Sequence, residues 1–245
     1  TDKVIKTLKE HNIAGQATPL RELYTYTYDN AQRPLVTTYS LNGGTAVILI
    51  NNTGGYDEVG RLITKKRHNN TDTESFAYNI RNWLTRITSG TFQEQLYYNT
   101  LPTGASTSPC YNGNIAYSVT GNTNSMPMRS YAYSYDNLNR LTVASGYYFP
   151  GFQSSSSGNN EIFYHDKMGN ITFLLRTGNT TMDFLSLSYN GNQLKYVNDY
   201  GGNQNSYYVK EYQNKSNTQD EFSYDANGNM IKDLDRDILT IRYNL

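Results

Sequence analysis

One short pattern recurs from one end of this chain to the other, and it limits the possible folds more than any other property. Its fullest copy is Tyr131-Ala132-Tyr133-Ser134-Tyr135-Asp136-Asn137-Leu138-Asn139-Arg140-Leu141. Phe222-Ser223-Tyr224-Asp225-Ala226-Asn227-Gly228-Asn229-Met230 and Tyr56-Asp57-Glu58-Val59-Gly60-Arg61-Leu62 repeat it. The consensus is aromatic, any residue, Tyr, Asp, two free positions, Gly or Asn, Arg or Asn, aliphatic. Alternating aromatics place their rings on one face of a strand, and an Asp that accepts nearby backbone N–H bonds starts a reversal. A Gly or Asn three residues later supplies the left-handed conformation that closes a bulged hairpin loop, and the aliphatic residue restarts a strand. Positive φ is therefore expected at Gly60, Gly169 and Gly228, and at Asn82 and Asn139.

With this template eight copies can be aligned. Tyr26-Thr27-Tyr28-Asp29 leads to Gln32-Arg33, Tyr78-Asn79 leads to Asn82-Trp83-Leu84, and Phe163-Tyr164-His165-Asp166 leads to Gly169-Asn170-Ile171. Tyr111-Asn112-Gly113-Asn114-Ile115 and Tyr189-Asn190-Gly191-Asn192 are shortened versions. Self-similarity at about 20 to 50 residues signals a repeat architecture. Eight hairpin units imply about sixteen strands, and an open antiparallel sheet of more than about ten must curl, split or close, so a curved or spiralling all-β sheet is expected. Rings at Tyr28, Tyr135 and Tyr224, and at Tyr26, Tyr133 and Phe222 two residues earlier, are expected to stack between adjacent hairpins.

Ordered Tyr-Asp turns of this kind are YD repeats, and the chain resembles the Rhs/YD-repeat family of large bacterial surface and toxin proteins from roughly Tyr24 to Leu245. The residues that carry the resemblance are Tyr28, Asp29, Tyr56, Asp57, Gly60, Arg61, Tyr78, Trp83, Tyr135, Asp136, Arg140, Asp166, Gly169, Tyr189, Tyr224, Asp225 and Gly228. The resemblance implies a β-shell wall that encloses a C-terminal toxin or effector, secretion or display at a bacterial cell surface, and partners in the rest of the same polypeptide. The family's core segment cleaves itself at Asp-Pro motifs. No Asp-Pro occurs here, so the piece is expected to be wall, without core or cargo. The alternative within the same resemblance is an adhesive module that uses its tyrosines to bind cell-surface carbohydrate.

Composition narrows the classes further. Lys plus Arg and Asp plus Glu are 21 each, and the chain has no basic tract to neutralise phosphates, which argues against nucleic acid as a partner. The 24 Tyr, 8 Phe and 1 Trp favour strands whose faces are half wet. No run approaches the roughly 20 apolar residues of a membrane-spanning helix, and no secretory leader opens the sequence. The abrupt start at Thr1 and the motif-like end Tyr243-Asn244-Leu245 are expected of a piece of a longer protein.

Along the chain, residues 1–23 read as a lead-in segment ahead of a YD-repeat domain over 24–245, with Val4, Ile5 and Leu8 spaced for at most two helical turns. Thr45 to Ile50 reads as a strand buried on both faces. Lys65-Lys66-Arg67-His68 reads as a solvated strand end, and Trp83 as core. Asn99 to Met128 is rich in Thr, Ser, Gly, Asn and Pro and holds Cys110, whose thiol lacks a neighbouring histidine in sequence and is expected to be inert. Pro150 to Asn160 and Asp199 to Asp220 read as hairpin tips or surface excursions.

No enzyme, metal or cofactor chemistry is expected. Asp225 to Asn229 resembles the start of a calcium loop, but its Gly stands fourth and Arg236 takes the twelfth place where Glu is required. Asp29, Asp57, Asp136, Asp166 and Asp225 could be paired for glycoside hydrolysis, yet each holds the same turn position, which suits a structural role and not a unique catalytic pair.

Overall fold

The computed structural model describes residues 3–122, 124, 128–149, 159–178, 180–201, 212–216 and 218–243. The described residues form seventeen strands and no helix, so the chain is all-β. It divides into two compact units, Thr1–Leu96 with Thr120–Met126, and Tyr97–Val119 with Pro127–Leu245.

The first unit is built from β1 (Lys6–His11), β2 (Leu20–Tyr28), β3 (Pro34–Leu41), β4 (Val47–Asn51), β5 (Thr64–Arg67), β6 (Asp72–Tyr78), β7 (Leu84–Thr88) and β8 (Phe92–Tyr97, whose last residue belongs to the second unit). Each strand pairs antiparallel with the next in chain order, as in the register Tyr24↔Tyr39 between β2 and β3 and Phe76↔Ile87 between β6 and β7. The expected N-terminal helix is absent. Residues 6–11 instead form β1, with Leu8 opposite Leu23 on β2, so the boundary drawn at residue 23 falls inside a strand. Two uncapped turns cost more to nucleate than they return, whereas extension along β2 satisfies the same backbone groups in a ladder. The strand expected at Thr45 to Ile50 is β4, but it is not buried on both faces. Val47 is exposed and the rest of the strand half-buried, as in an antiparallel sheet with one wet face.

The second unit contains β9 (Tyr117–Asn122, whose last three residues belong to the first unit), β10 (Met128–Tyr135), β11 (Leu141–Phe149), β12 (Glu161–His165), β13 (Ile171–Thr177), β14 (Thr181–Asn190) and β15 (Gln193–Asp199), again paired in chain order. A separate hairpin of β16 (Phe222–Tyr224) and β17 (Met230–Asp233) follows. The polar stretch from Asn99 to Met128 holds the centre of this unit's core. Tyr117 and Val119 are fully buried and pack with Met128 and Ala132, and Tyr97, Leu101, Ala105 and Tyr147 close around them. The Tyr117 hydroxyl donates to Ser130 Oγ at 2.7 Å, which satisfies both polar groups inside the core. Of the two expected surface excursions, residues 150–158 lie outside the described residues, as do 202–211 and 217.

Candidate functional site

The repeated turn is the feature of this chain that has a constant geometry, and it is built from one carboxylate. At Asp136, Oδ1 accepts the N–H groups of Leu138 and Arg140, both at 2.9 Å, and Oδ2 accepts Arg140 Nε at 2.6 Å. The backbone closes around it: Asn139 N donates to Asp136 O and Asp136 N donates to Arg140 O. Asp57 with Val59 and Arg61, and Asp29 with Arg33, form the same clamp, each with Nε to Oδ2 at 2.6 Å. At Asp166 and Asp225 an Asn replaces the Arg, and its Nδ2 donates to Oδ2 at 2.8 and 2.9 Å. Asn79 reproduces the backbone part of the clamp, with Arg81 N and Trp83 N bonded to its Oδ1.

The residue before the clamped Arg or Asn is left-handed throughout, with φ of 88° at Gly60, 93° at Gly169 and 85° at Gly228, and 63° and 62° at Asn82 and Asn139. Gln32, at 62°, fills the same place in the first copy. Immediately after the turn the register slips by one residue in several copies. Tyr135 faces Leu141 but Ser134 faces Val143, and the same slip occurs at Tyr78, His165 and Tyr224. The unpaired residue is often threonine, whose hydroxyl takes over the missing ladder bond: Thr85 Oγ1 donates to Ala77 O, Thr142 Oγ1 to Ser134 O and Thr172 Oγ1 to Tyr164 O. The sequence reading expected a bulge at the left-handed residue of the loop but not this second one in the returning strand, although a Thr two places after the clamped residue marks it in three copies.

These contacts set the charge of the turn. The Arg140 backbone N–H holds the Asp136 carboxyl below its ordinary range, and the Arg33 N–H does the same for Asp29. Burial pushes Asp57 up, but the side-chain and backbone bonds from Arg61 outweigh it and the net direction is down. The side-chain amides of Asn170 and Asn229 lower Asp166 and Asp225. All five aspartates are therefore carboxylates at neutral pH, with their oxygens committed to the turn.

Successive turns are linked in both directions. The tyrosine hydroxyl reaches back to the carbonyl that restarts the strand of the preceding copy: Tyr56 to Pro34 O at 2.8 Å, Tyr78 to Leu62 O at 2.9 Å, Tyr135 to Ile115 O at 2.9 Å, Tyr189 to Ile171 O at 2.9 Å and Tyr224 to Leu194 O at 3.1 Å. Tyr28 bonds Val4 O and Tyr243 bonds Met230 O in the same way. The clamped residue reaches forward. Arg61 Nη1 donates to Asn82 Oδ1 at 2.9 Å, Arg140 Nη1 to Asp166 O at 2.7 Å, and Asn170 Nδ2 to Gly191 O at 3.1 Å. The guanidinium groups of Arg33 and Arg61 also lie over the rings of Tyr56 and Tyr78, at 4.6 and 5.2 Å.

Two sequence expectations need correction here, and the shortened copy at Tyr189 takes its own form. The tyrosines at Tyr28, Tyr135 and Tyr224 are joined to neighbouring copies by hydroxyl bonds; the row of touching rings is elsewhere, running from Tyr164 through Phe173 and Phe184 to Tyr200. Trp83 is half-buried, at the place of the clamped Arg, with the Arg81 guanidinium 5.1 Å from its ring centroid. The copy at Tyr189 keeps the hydroxyl bond, but its turn is a two-residue hairpin, Asn190 opposite Gln193, with Gly191 at φ 61°.

Beside this lattice, one groove of about 570 Å³ opens between the 107–114 loop and the end of β10. Tyr111, Tyr133 and Tyr135 line it with Asn112, Asn114 and Asn139, and no charged side chain does. Asn139 Oδ1 accepts both other amides, at 2.6 and 3.3 Å. Cys110, also in the lining, has its thiol pushed up by burial, and so stays protonated and a poor nucleophile at neutral pH. Among the described residues no group of three or more His, Cys, Asp or Glu could hold a metal ion, and no helix is long and apolar enough to cross a membrane.

No family model and no curated protein matches the sequence. Among solved structures, the chain is similar to that described as "Crystal Structure of TcdB2-TccC3 without hypervariable C-terminal region", with 14% identity and a TM-score of 0.54 over 88% of this chain and 12% of that one. It is likewise similar to "Crystal Structure of TcdB2-TccC3-Cdc42", with 14% identity and a TM-score of 0.56 over 89% of this chain and 12% of that one. The chain thus spans about an eighth of the length of these neighbours, and shares with that portion an all-β fold of serially paired antiparallel strands.

Proposed function

We propose that this chain is a non-enzymatic structural module of a secreted or cell-surface Rhs/YD-repeat protein, one stretch of a β-shell that encloses a C-terminal toxin or effector. The observation that carries this reading is the two-way linkage of the turns. The recurring polar groups of the repeat are spent on their own turn or on a neighbour, as around Asp136: the carboxylate on the clamp, the guanidinium on the next turn, the phenol on the previous carbonyl. Groups so engaged are unsuited to acid–base or nucleophilic work, and well suited to holding a wall of strands in register. The fold likeness to a small part of much longer TcdB2-TccC3 chains agrees with a module whose partners are the remainder of its own polypeptide. The test is protease protection in the longer polypeptide. The C-terminal segment should resist digestion with the wall intact and become sensitive when Asp136→Ala opens a turn. Equal sensitivity of both forms would refute enclosure.

A second reading, binding of cell-surface carbohydrate, is favoured by the uncharged groove at Tyr111. Tyrosine rings and side-chain amides offer apolar faces and paired donors and acceptors, the combination that polyhydroxylated ligands need. A neutral-glycan array probed with the wild type and with Tyr111→Ala, whose ring is 65% exposed and so expendable for folding, separates the two readings. Saturable binding lost in the variant supports a lectin role; an array without signal removes it.

A further inference from the structure

Four acidic side chains are buried in the second unit, and the turn lattice uses none of them: Asp183 (0% exposed), Glu221 (1%), Asp233 (4%) and Asp235 (4%). Three of them fasten the 212–216 segment and the β16–β17 hairpin to β14 and β15. Asp183 Oδ1 on β14 accepts Tyr212 N at 2.7 Å, and Glu221 Oε2 accepts Val197 N of β15 at 2.8 Å. Asp235 Oδ1 accepts Lys215 N at 3.0 Å and Ser216 N at 2.9 Å, and its Oδ2 accepts the Tyr212 hydroxyl.

The remaining oxygen, Glu221 Oε1, is buried and has no donor. Its neighbour is the Asp235 carboxyl, which is itself an acceptor already served by three donors. Two carboxylates cannot face each other in a buried site unless one carries a proton. The donors fix the arrangement: both Asp235 oxygens accept from Tyr212, Lys215 and Ser216, and Glu221 carries the shared proton on the Oε1 that otherwise lacks a partner.

The other charged groups around the pair are already committed. On β14 Asp183 is paired with Arg176 of β13. Asp233, at the end of β17, has Arg236 Nη1 at 3.5 Å, and Lys215 turns to Asp237. Asp220 pairs with Lys195 of β15 at 3.5 Å. Tyr212, pushed up by burial, remains a donor. Among the described residues no cation bonds Glu221.

We propose that Glu221 and Asp235 form a proton-operated latch, in which one shared proton holds the 212–216 segment and the β16–β17 hairpin against β14 and β15, and its loss loosens that cover. Burial first, and the nearby Asp235 and Asp233 charges, push the Glu221 carboxyl up to about 7 from an ordinary 4.5. A carboxyl raised on folding binds more protons in the closed form. Its contribution is therefore complete below about 4.5, declines as pH rises, and is lost through about 7. That gap corresponds to a change in the opening equilibrium of up to about 300-fold between acidic and mildly alkaline conditions.

The test is amide exchange at Lys215 and Ser216 in the whole chain at pH 5 and pH 8, corrected for the intrinsic pH dependence of exchange. Protection should fall on the order of a hundredfold at pH 8 in the wild type. Glu221→Gln, which keeps the shape and donates a permanent N–H to Asp235, should stay protected at both. Asp220→Asn, next to the pair in sequence but exposed, should behave as the wild type. Infrared spectroscopy of the wild type adds a reading independent of any variant: a buried protonated-carboxyl band present at pH 5 and gone at pH 8. Equal protection at the two pH values, a pH dependence that persists in Glu221→Gln, or no such band would overturn the latch.

Discussion

Replacing Tyr135 by Phe removes a single hydroxyl and leaves the ring, so it isolates the bond that joins one turn to the one before it. That hydroxyl donates to Ile115 O at 2.9 Å from a half-buried position. A net hydrogen bond of this kind contributes about 0.5–1.5 kcal/mol, and the abandoned carbonyl adds to the loss in proportion to its burial. At half burial water can replace part of the partner, so a loss of about 1 kcal/mol is expected, roughly fivefold in the folding equilibrium. With a urea slope of about 2 kcal/mol per molar, the midpoint should move by about 0.5 M. Tyr135→Ala also removes the ring and should cost about 2–4 kcal/mol.

The probe has to report the second unit. The single tryptophan, Trp83, lies in the first, so amide exchange along β10, which reports the second unit directly, is followed together with the far-ultraviolet strand signal. Tyr164→Phe serves as a control, because that ring is 61% exposed and touches Phe173 through its face. Spectrophotometric titration gives a second check: burial first, then Cys110 and Tyr133, push the Tyr135 phenol up to about 12, and the late step should vanish in the Phe variant. If Tyr135→Phe matches the wild type while Tyr135→Ala is strongly destabilised, the ring and not the hydroxyl joins the turns, and the linkage argument fails.

Three further outcomes follow from the turn. Asp29, Asp57, Asp136, Asp166 and Asp225 are all lowered on folding, so their contribution is complete above the ordinary carboxylate value of 3.8 and lost as pH falls through their folded values; an acid titration followed by circular dichroism should show cooperative loss below pH 4, shallower in Asp136→Asn. Gly169→Ala should cost about 1 kcal/mol in thermal or urea denaturation, through backbone strain alone, because φ is 93° and an added Cβ meets nothing within 4 Å. Thr142→Val, close in shape, should cost about 0.5–1 kcal/mol by removing the hydroxyl bond to Ser134 O; a neutral result would show that the bulge does not need it.

The turn could be read from the sequence because its determinants are local: an acceptor at Asp, a left-handed residue three places on, a donor next to that. The links between turns could not. The seven tyrosine hydroxyls reach carbonyls that lie 13 to 30 residues earlier, so no fixed spacing announces them. Composition misled at Asn99 to Met128, where a polar background hid Tyr117 and Val119, the centre of a core. Local periodicity misled at Val4, Ile5 and Leu8, where a strand partner at Leu20–Tyr28 decided the outcome. The buried acids at Asp183, Glu221, Asp233 and Asp235 left no signal, since carboxylates in a polar sequence are read as solvated until burial is seen.

The backward bond from the seven stapling tyrosines gives the array a phase. A copy is stapled by a phenol that belongs to the next one, so the unit that can be gained, lost or exchanged runs from one strand-restarting carbonyl to the following tyrosine, and not from one Tyr-Asp pair to the next. Recombination between tyrosine-bearing copies that respects this frame keeps a phenol for the preceding carbonyl whatever the length of the intervening loop, whereas the Asp166 copy, with His165 in that place, brings none. A crossover out of frame leaves one hydroxyl and one carbonyl orphaned at the joint. Arrays of this type are therefore free to drift in loop length and in loop sequence while their joints stay fixed, and fragments intended to fold alone are best cut just after a stapling tyrosine.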